Sequence, residues 1–295
     1  MLFTNDGLNK FAKDPAVVNF GGMYFLYYTT RHDDDSLGIG IATSCDLDSW
    51  VCAGEVMRTQ ECEMNGIAAP AAIVLDGRIH LFYQTYGNWR KDAICHAVSE
   101  NGFDFVKNPE NPVFRPTDDW CCGRAIDADV CIWQDKLYMY FATRDHEMRT
   151  QKVGGAFAGL DSGFGKAAWT QISNQSLLAP ELTWEGECIE APATIVNGDK
   201  LFMFYGGSYN CTPQQIGCAV SDDGVFFRRL FSEKPFKAPG NSGDWNSSES
   251  GHPYAFRDDD GKAYLFYQGS PDIGKTWYLS RLDIAFDENN MPYII

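Results

Sequence analysis

Three carboxylates and one histidine stand at the head of short apolar segments. Asp14 precedes PAVVNF, Asp127 precedes ADVCIW, Glu190 precedes APATIV and His252 precedes PYAF. Carboxylates gathered in a partly buried space repel one another, and burial itself disfavours the ionised form. Their pKa values are driven apart, so that one keeps a proton while another stays ionised, which is what acid and base roles need. Other polar runs lack this character. Asp33-Asp34-Asp35 reads as a solvated loop. His146 and Glu147 fail the His-Glu-x-x-His spacing, and no Gly-x-Ser-x-Gly elbow or phosphate loop occurs.

The elements that would bring these residues together are repeats. Five segments share one pattern: DPAVVNFGGMYFLYYTT, AAPAAIVLDGRIHLFYQTYG, DADVCIWQDKLYMYFAT, EAPATIVNGDKLFMFYGGS and HPYAFRDDDGKAYLFYQGS. Their starts are 54, 59, 63 and 62 residues apart. Each reads as two strands around a tight turn, with Gly21-Gly22, Asp76-Gly77, Asn197-Gly198 and Asp260-Gly261 where positive φ is needed. A second pair of strands follows each copy around a Ser/Asp/Gly turn, as in GIGIATSCDLDSW and IGCAVSDDGVFF. Four antiparallel strands repeated five times predict an all-β fold, a single five-bladed β-propeller over residues 1–295. The first residue of each innermost strand would then face the axis, giving a ring of Asp14, Ala68, Asp127, Glu190 and His252.

Charge narrows the partners. Lys and Arg number 24 against 40 Asp and Glu, a net charge of −16, which repels nucleic acid. No apolar run is long enough for a membrane span. None of the ten cysteines forms a Cys-x-x-Cys pair, and Cys95 and Cys218 fall at matching places where a small buried hydrophobe is expected. Reduced thiols without an apolar leader favour the cytoplasm, although a chain trimmed of its leader would read the same.

With the repeats in register, KDPAVV, RAIDADV, CIEAPATIV and SGHPYAF resemble motifs of the five-bladed glycoside hydrolases, family 43 most closely. The resemblance spans all five repeats. It implies an inverting glycosidase in which Asp14 is the general base, Glu190 the general acid, and Asp127 tunes and orients the acid. It implies that His252 sits on the axis near a water-shelled calcium or sodium ion, with no cofactor required for the chemistry. The expected substrates are arabinofuranosides, xylosides or galactofuranosides of plant or microbial polysaccharides. Two positions have rivals. Ala128 replaces the family's third-blade proline and Asp129 lies two residues beyond Asp127, which is favoured because it directly follows Ile126. Glu185 and Glu187 compete with Glu190, which is favoured because Pro192 and Ile195 then match Pro70 and Ile73.

Substrate contacts are expected from the loops on the same face: Arg31, Trp89, Arg144 and Tyr209, with His32 beside them, and the tryptophans Trp184 and Trp245. Sugar rings stack their C–H faces on indole. Trp120, Trp184 and Trp245 precede Asp127, Glu190 and His252 by 7, 6 and 7 residues, so packing between blades explains them equally well. Trp89 breaks the repeat and is the stronger substrate candidate. Related alternatives are a mannoside phosphorylase, a retaining fructosidase, or a propeller that binds sugar without cleaving it. A phosphorylase needs cations for phosphate, and Arg124 is taken as the only one beside a motif position.

Overall fold

The computed structural model describes residues 1–5 and 10–295. Its strands form five separate four-stranded antiparallel sheets, each in simple sequence order. The first contains β1 (Lys13–Phe20), β2 (Met23–Arg31), β3 (Leu37–Ser44) and β4 (Val51–Val56); the second β5 (Ile67–Leu75), β6 (Arg78–Thr85), β7 (Ile94–Ser99) and β8 (Val106–Lys107). The third contains β9 (Ile126–Trp133), β10 (Lys136–Arg144), β11 (Gln151–Gly159) and β12 (Thr170–Gln171). The fourth contains β13 (Ile189–Asn197), β14 (Lys200–Gly207), β15 (Gln215–Ser221) and β16 (Arg228–Arg229). The last contains β17 (Glu249–Arg257), β18 (Ala263–Ser270), β19 (Tyr278–Phe286) and β20 (Pro292–Ile294). Neighbouring innermost strands touch all the way round, and β1 against β17 completes the ring. The expected five-bladed propeller is the fold.

Each sheet is covered on both faces by its neighbours, so the inner strands are apolar throughout rather than alternating. The core lies in the seams between blades, where Tyr27, Tyr83, Tyr140 and Tyr205 are fully buried at matching places in the second strands. Two of them find their polar partner in the next blade: Tyr27 donates to the Gly102 carbonyl and Tyr140 to the Gly224 carbonyl, each at 3.0 Å. Gly102 belongs to one of the Ser/Asp/Gly turns; its φ of +83° and the ring of Phe25 against it leave no room for a side chain. In that turn Ser99 Oγ accepts the Gly102 N–H at 2.9 Å, and Ser221 Oγ does the same for Gly224.

The ring is closed by the N-terminal segment. Phe3 pairs with Leu279 through reciprocal backbone hydrogen bonds of 2.9 and 2.8 Å, extending the last blade with the first residues of the chain.

Blades two and four carry the same buried anchor. Glu63 accepts the N–H groups of Thr59 and Gln60, the hydroxyl of Tyr83 at 2.5 Å, and pairs with Lys107 Nζ at 2.9 Å. Glu185 accepts the N–H groups of Glu181 and Leu182 and the Tyr205 hydroxyl, and takes a forked bond from Arg229 Nε at 2.8 Å and Nη2 at 2.9 Å. Burial opposes the charge of Glu185, but Arg229 and the two N–H groups overcome it and hold the carboxyl below its usual range. Glu185 is thus a fastener of the loop before β13. Removing one partner of a buried pair strands the other, at about 3–5 kcal/mol. Glu185→Ala should therefore lower the thermal midpoint markedly; a midpoint unchanged in a melting curve would contradict this account.

Candidate active site

In every blade the first two strands lose register by one residue at the same point. Lys13 pairs with Thr29 and Ala16 with Tyr27, so Asp14 and Pro15 together oppose Tyr28 alone. The same two-against-one bulge holds Ala69-Pro70, Asp127-Ala128, Ala191-Pro192 and His252-Pro253. The first residue of each bulge is left-handed: φ is 50° at Asp14, 46° at Ala69, 49° at Asp127, 48° at Ala191 and 42° at His252. Such a conformation costs a non-glycine residue about 1–3 kcal/mol and persists only where the surroundings impose it. Proline suits the second place, which has no ladder partner. Ala128 makes the same bulge without it.

This register corrects the expected ring. The equivalent bulge residues are Asp14, Ala69, Asp127, Ala191 and His252. Ala68 and Glu190 lie one residue earlier, level with Lys13, Ile126 and Gly251. Glu190 therefore reaches the centre from a second tier.

His252 links the two tiers. Its Nδ1 lies 2.9 Å from Asp14 Oδ1 and its Nε2 lies 3.3 Å from Glu190 Oε1. Ligand-type atoms of Asp127, Glu190 and His252 all fall within 4.8 Å of one another. Glu190 is further held by two amides: Gln214 Nε2 donates to Oε1 at 2.5 Å, and Gln151 Nε2 donates to Oε2. Gln151 is itself turned by Arg144 Nε, which donates to its Oε1 at 2.7 Å.

The family model of glycosyl hydrolases family 43 matches residues 3–287. The chain belongs to family 43. A thermostable family 43 glycoside hydrolase of known structure superposes with a TM-score of 0.78 at 20% identity, covering 99% of this chain and 95% of that one. An endo-1,4-β-xylanase from Bacteroides thetaiotaomicron superposes at 0.74 and 20% identity, covering 96% and 94%. A 1,2-β-oligomannan phosphorylase from Thermoanaerobacter sp. (strain X514) is 24% identical over 207 residues, and the match spans 66% of this chain and 64% of that protein.

Within this family 43 site the charges are interlocked. Burial works against the charge on His252, but Asp14 and Asp127 overcome it and push the imidazole well above its usual pKa. Burial also opposes ionisation of Asp14, yet the charges of His252 and Lys13 hold it well below the usual carboxylate range. For Glu190 burial is again outweighed, by the His252 contact and the Gln214 amide, and its pKa is lowered. Asp127 goes the other way. Burial, with Glu190 and Asp14 adding to it against the opposing charge of His252, pushes it up to about 7. Burial acts alike on Asp127 and Glu190, yet their pKa values are pushed in opposite directions.

Of the rivals, Asp129 lies in the β9 ladder opposite Tyr140 and accepts the N–H and hydroxyl of Thr194 at 2.7 and 2.5 Å. It binds blade three to blade four. Glu187 is exposed, and its backbone carbonyl accepts the Gln151 N–H. Trp184 lies nearly parallel to Tyr205, centroids 6.1 Å apart, over Gly207, and Trp245 covers Gly269 in the same way. Both indoles use a face in packing within their own blade, as does Trp120 over Gly154. Trp89 is 65% exposed with a φ of 60°. Its turn is fixed by Asp92, which accepts the Asn88 N–H and pairs with Arg124 at 3.1 Å. Arg31 lies over Phe11, and Arg144 over Tyr209 at 5.1 Å. His32 is turned away to Glu55, at 2.7 Å.

Arg124, engaged by Asp92, is not the only cation beside a motif: Lys13 directly precedes Asp14 and feels Asp14, Glu249, Glu190 and Asp127. Sequence reasoning passed over it, although it stands inside the KDPAVV segment. Gln84 and Gln268 were also legible, at matching places in FYQTYG and FYQGS, and they accept the N–H groups of Asp127 at 2.7 Å and Asp14 at 3.2 Å. Gln151 and Gln214 also stand at matching places, heading the third strands of blades three and four in QKVGGA and QQIGCA, so the repeat carried that signal too.

Burial pushes Asp129 up to about 7 despite its Thr194 bonds, whereas an unfolded aspartate titrates near ~3.9. The folded chain therefore binds the extra proton between those values. The stability this gives is complete below about pH 4 and is lost as pH rises through about 7. Asp129→Asn should flatten the fall in denaturation midpoint across that window; an unaltered slope would show the carboxyl to be ionised in the fold.

Proposed function

We propose that this family 43 glycoside hydrolase cleaves a glycosidic bond with inversion, Asp14 serving as general base and Glu190 as general acid. The observation that carries this reading is the placement of His252, whose two ring nitrogens face Asp14 on one side and Glu190 on the other. An imidazole between the two carboxyls keeps them apart, as inversion requires: inverting enzymes hold their carboxyls ~6.5–9.5 Å apart and retaining ones ~5–5.5 Å. Water activated by the ionised Asp14 attacks the anomeric carbon, while Glu190 protonates the departing oxygen from the opposite side.

Asp127 and Glu190 share the proton this requires. In the free site Asp127 holds it, because His252 and the amides favour an ionised Glu190. A substrate oxygen drawn to Glu190 loosens those contacts, and the like charge of Asp127 then favours proton uptake by the acid. Trp89, Arg31, Arg144 and Tyr209 frame the entry for a carbohydrate. The family and the xylanase-like fold support xylosides, arabinofuranosides or galactofuranosides as the substrate class. The axial cavity bounded by Asp14, Asp127 and His252 is roughly 20 Å³, about one water. The charged imidazole weighs against a calcium or sodium ion held directly by Asp127, Glu190 and His252. No step is assigned to it.

A second reading is phosphorolysis, favoured by the match to the oligomannan phosphorylase. The site speaks against it: an ionised Asp14 repels phosphate where the nucleophile would stand, Arg124 is taken by Asp92, and Arg144 is bound to Gln151.

A panel of aryl furanosides and pyranosides, with and without phosphate, separates the two. Hydrolysis without phosphate, with the opposite anomer as first product in NMR, is the expected result; a sugar phosphate or a retained anomer overturns it. General acid assistance is worth about 10²–10⁴-fold. Glu190→Gln should lose that much on a natural sugar–sugar linkage and far less on a nitrophenyl glycoside, whereas Asp14→Asn should harm both alike. Equal losses on both substrates for Glu190→Gln would remove Glu190 as the acid.

Activity should decline as pH rises through about 7, where the Asp127–Glu190 pair gives up its proton. In Asp127→Asn the acid loses its like-charged neighbour, its pKa falls, and the alkaline limb moves to lower pH. A limb that stays or moves upward contradicts the pairing.

A further inference from the structure

We propose that Lys13 is a substrate-binding residue, whose ammonium donates a hydrogen bond to a hydroxyl of the sugar held over Asp14 and thereby selects the sugar. The inference rests on the glycosidase reading above.

Blade symmetry places it. Lys13 is the last paired residue before the bulge of β1, and Glu190 is the last paired residue before the bulge of β13. The two therefore occupy one tier of the mouth, with Asp14 directly beneath Lys13. The other residues of that tier are Ala68, Ile126 and Gly251, so Lys13 and Glu190 are its sole polar side chains.

The ammonium is fixed but unsatisfied. Nζ lies 4.4 Å from the centroid of the Trp277 ring. That indole is buried and donates its Nε1–H to the Gly274 carbonyl at 3.0 Å, so the platform is rigid. Among the described residues no carboxylate oxygen lies within 4.0 Å of Nζ and no hydrogen bond engages it. An ammonium has three donors, and an aromatic face occupies one side only. The carboxylates of Asp14, Glu249, Glu190 and Asp127 surround it at longer range and keep it charged. Ionised Asp14 and Glu190 repel an anionic substituent, so a neutral sugar hydroxyl is the fitting acceptor. The Glu249 carboxyl is turned to other donors, accepting Gln268 Nε2 at 2.7 Å and the Cys211 N–H at 2.5 Å.

The test pairs Lys13→Met with a series of monodeoxy analogues of the aryl glycoside that the wild type accepts best. A hydrogen bond to a charged group corresponds to roughly 10- to 100-fold in kcat/KM. Lys13→Met should lose that factor on the parent glycoside, the wild type should lose it on one monodeoxy analogue, and both enzymes should handle that analogue alike. Lys13→Arg should recover part of the loss on the parent. Equal losses on the parent and every analogue, or a moved pH profile without selectivity, would mean that Lys13 acts on the carboxylates instead, and would overturn the proposal. Binding of the parent sugar and its monodeoxy analogues to the Glu190→Gln enzyme, by calorimetry with and without Lys13→Met, gives the same comparison without turnover. A wild type that cleaves no glycoside refutes the glycosidase reading, whereas an active wild type without this coupling refutes only Lys13. Circular dichroism confirms that each variant is folded.

Discussion

The left-handed residue at the head of each innermost strand is the constraint from which the rest of the site follows. A regular strand would send alternate side chains into the seams on either side, and none along the axis. The bulge breaks that alternation once in each blade, at the same depth. What holds it is the neighbouring blade: Thr29 accepts the N–H of Ala69, Gln84 that of Asp127, Gln214 that of His252 and Gln268 that of Asp14. The strain is local, but its support comes from across the seams.

Two blades depart from this pattern, and in blade four the departure makes room for an amide from the next strand. At the place held by Thr29, Gln84 and Gln268, blade three has Ala142 and blade four has Gly206, neither with a polar side chain. A Cβ at Gly206 would meet the Gln214 amide at 3.0 Å, so the missing side chain is what admits that amide. Gln214 then does two jobs, accepting the His252 N–H at 3.0 Å and donating to Glu190. The same seam holds the left-handed backbone of His252 and the carboxylate of Glu190.

The repeat, the blade count and the hairpin turns were legible because they depend on local patterns of apolar and turn residues. Gly21-Gly22 and Asp76-Gly77 do adopt positive φ, while blade three turns on Gln134 and Asp135, which carry no glycine signal. The register of Glu190 was not legible to the residue. A bulge inserts one residue without changing composition, and an alignment by strand starts cannot say which of Glu190 and Ala191 is displaced. The matched prolines, Pro70 and Pro192, carried that answer. The tryptophans misled for a different reason: a half-buried indole beside a motif looks the same in sequence whether it meets a sugar or, as at Trp184 and Trp245, a glycine in its own blade. Asp129 shows the converse. Its acidity is perturbed as strongly as that of Asp127, yet it fastens Thr194, so an altered pKa alone does not mark a reactive group.

The seam between the first and last blades has a consequence for how the chain comes off the ribosome. Thr4 bonds the Trp277 carbonyl across 273 residues, and Phe3 and Leu279 are joined beside it. At synthesis rates of about 5–20 residues per second, the opening segment waits roughly 15 to 55 seconds for its partner strand to emerge. Until then β1 has a bare flank, and Asp14 lacks both Gln268 and His252. The candidate active site cannot be completed before blade five emerges, so a ribosome that stalls earlier releases four blades with an exposed edge and an Asp14 without these partners.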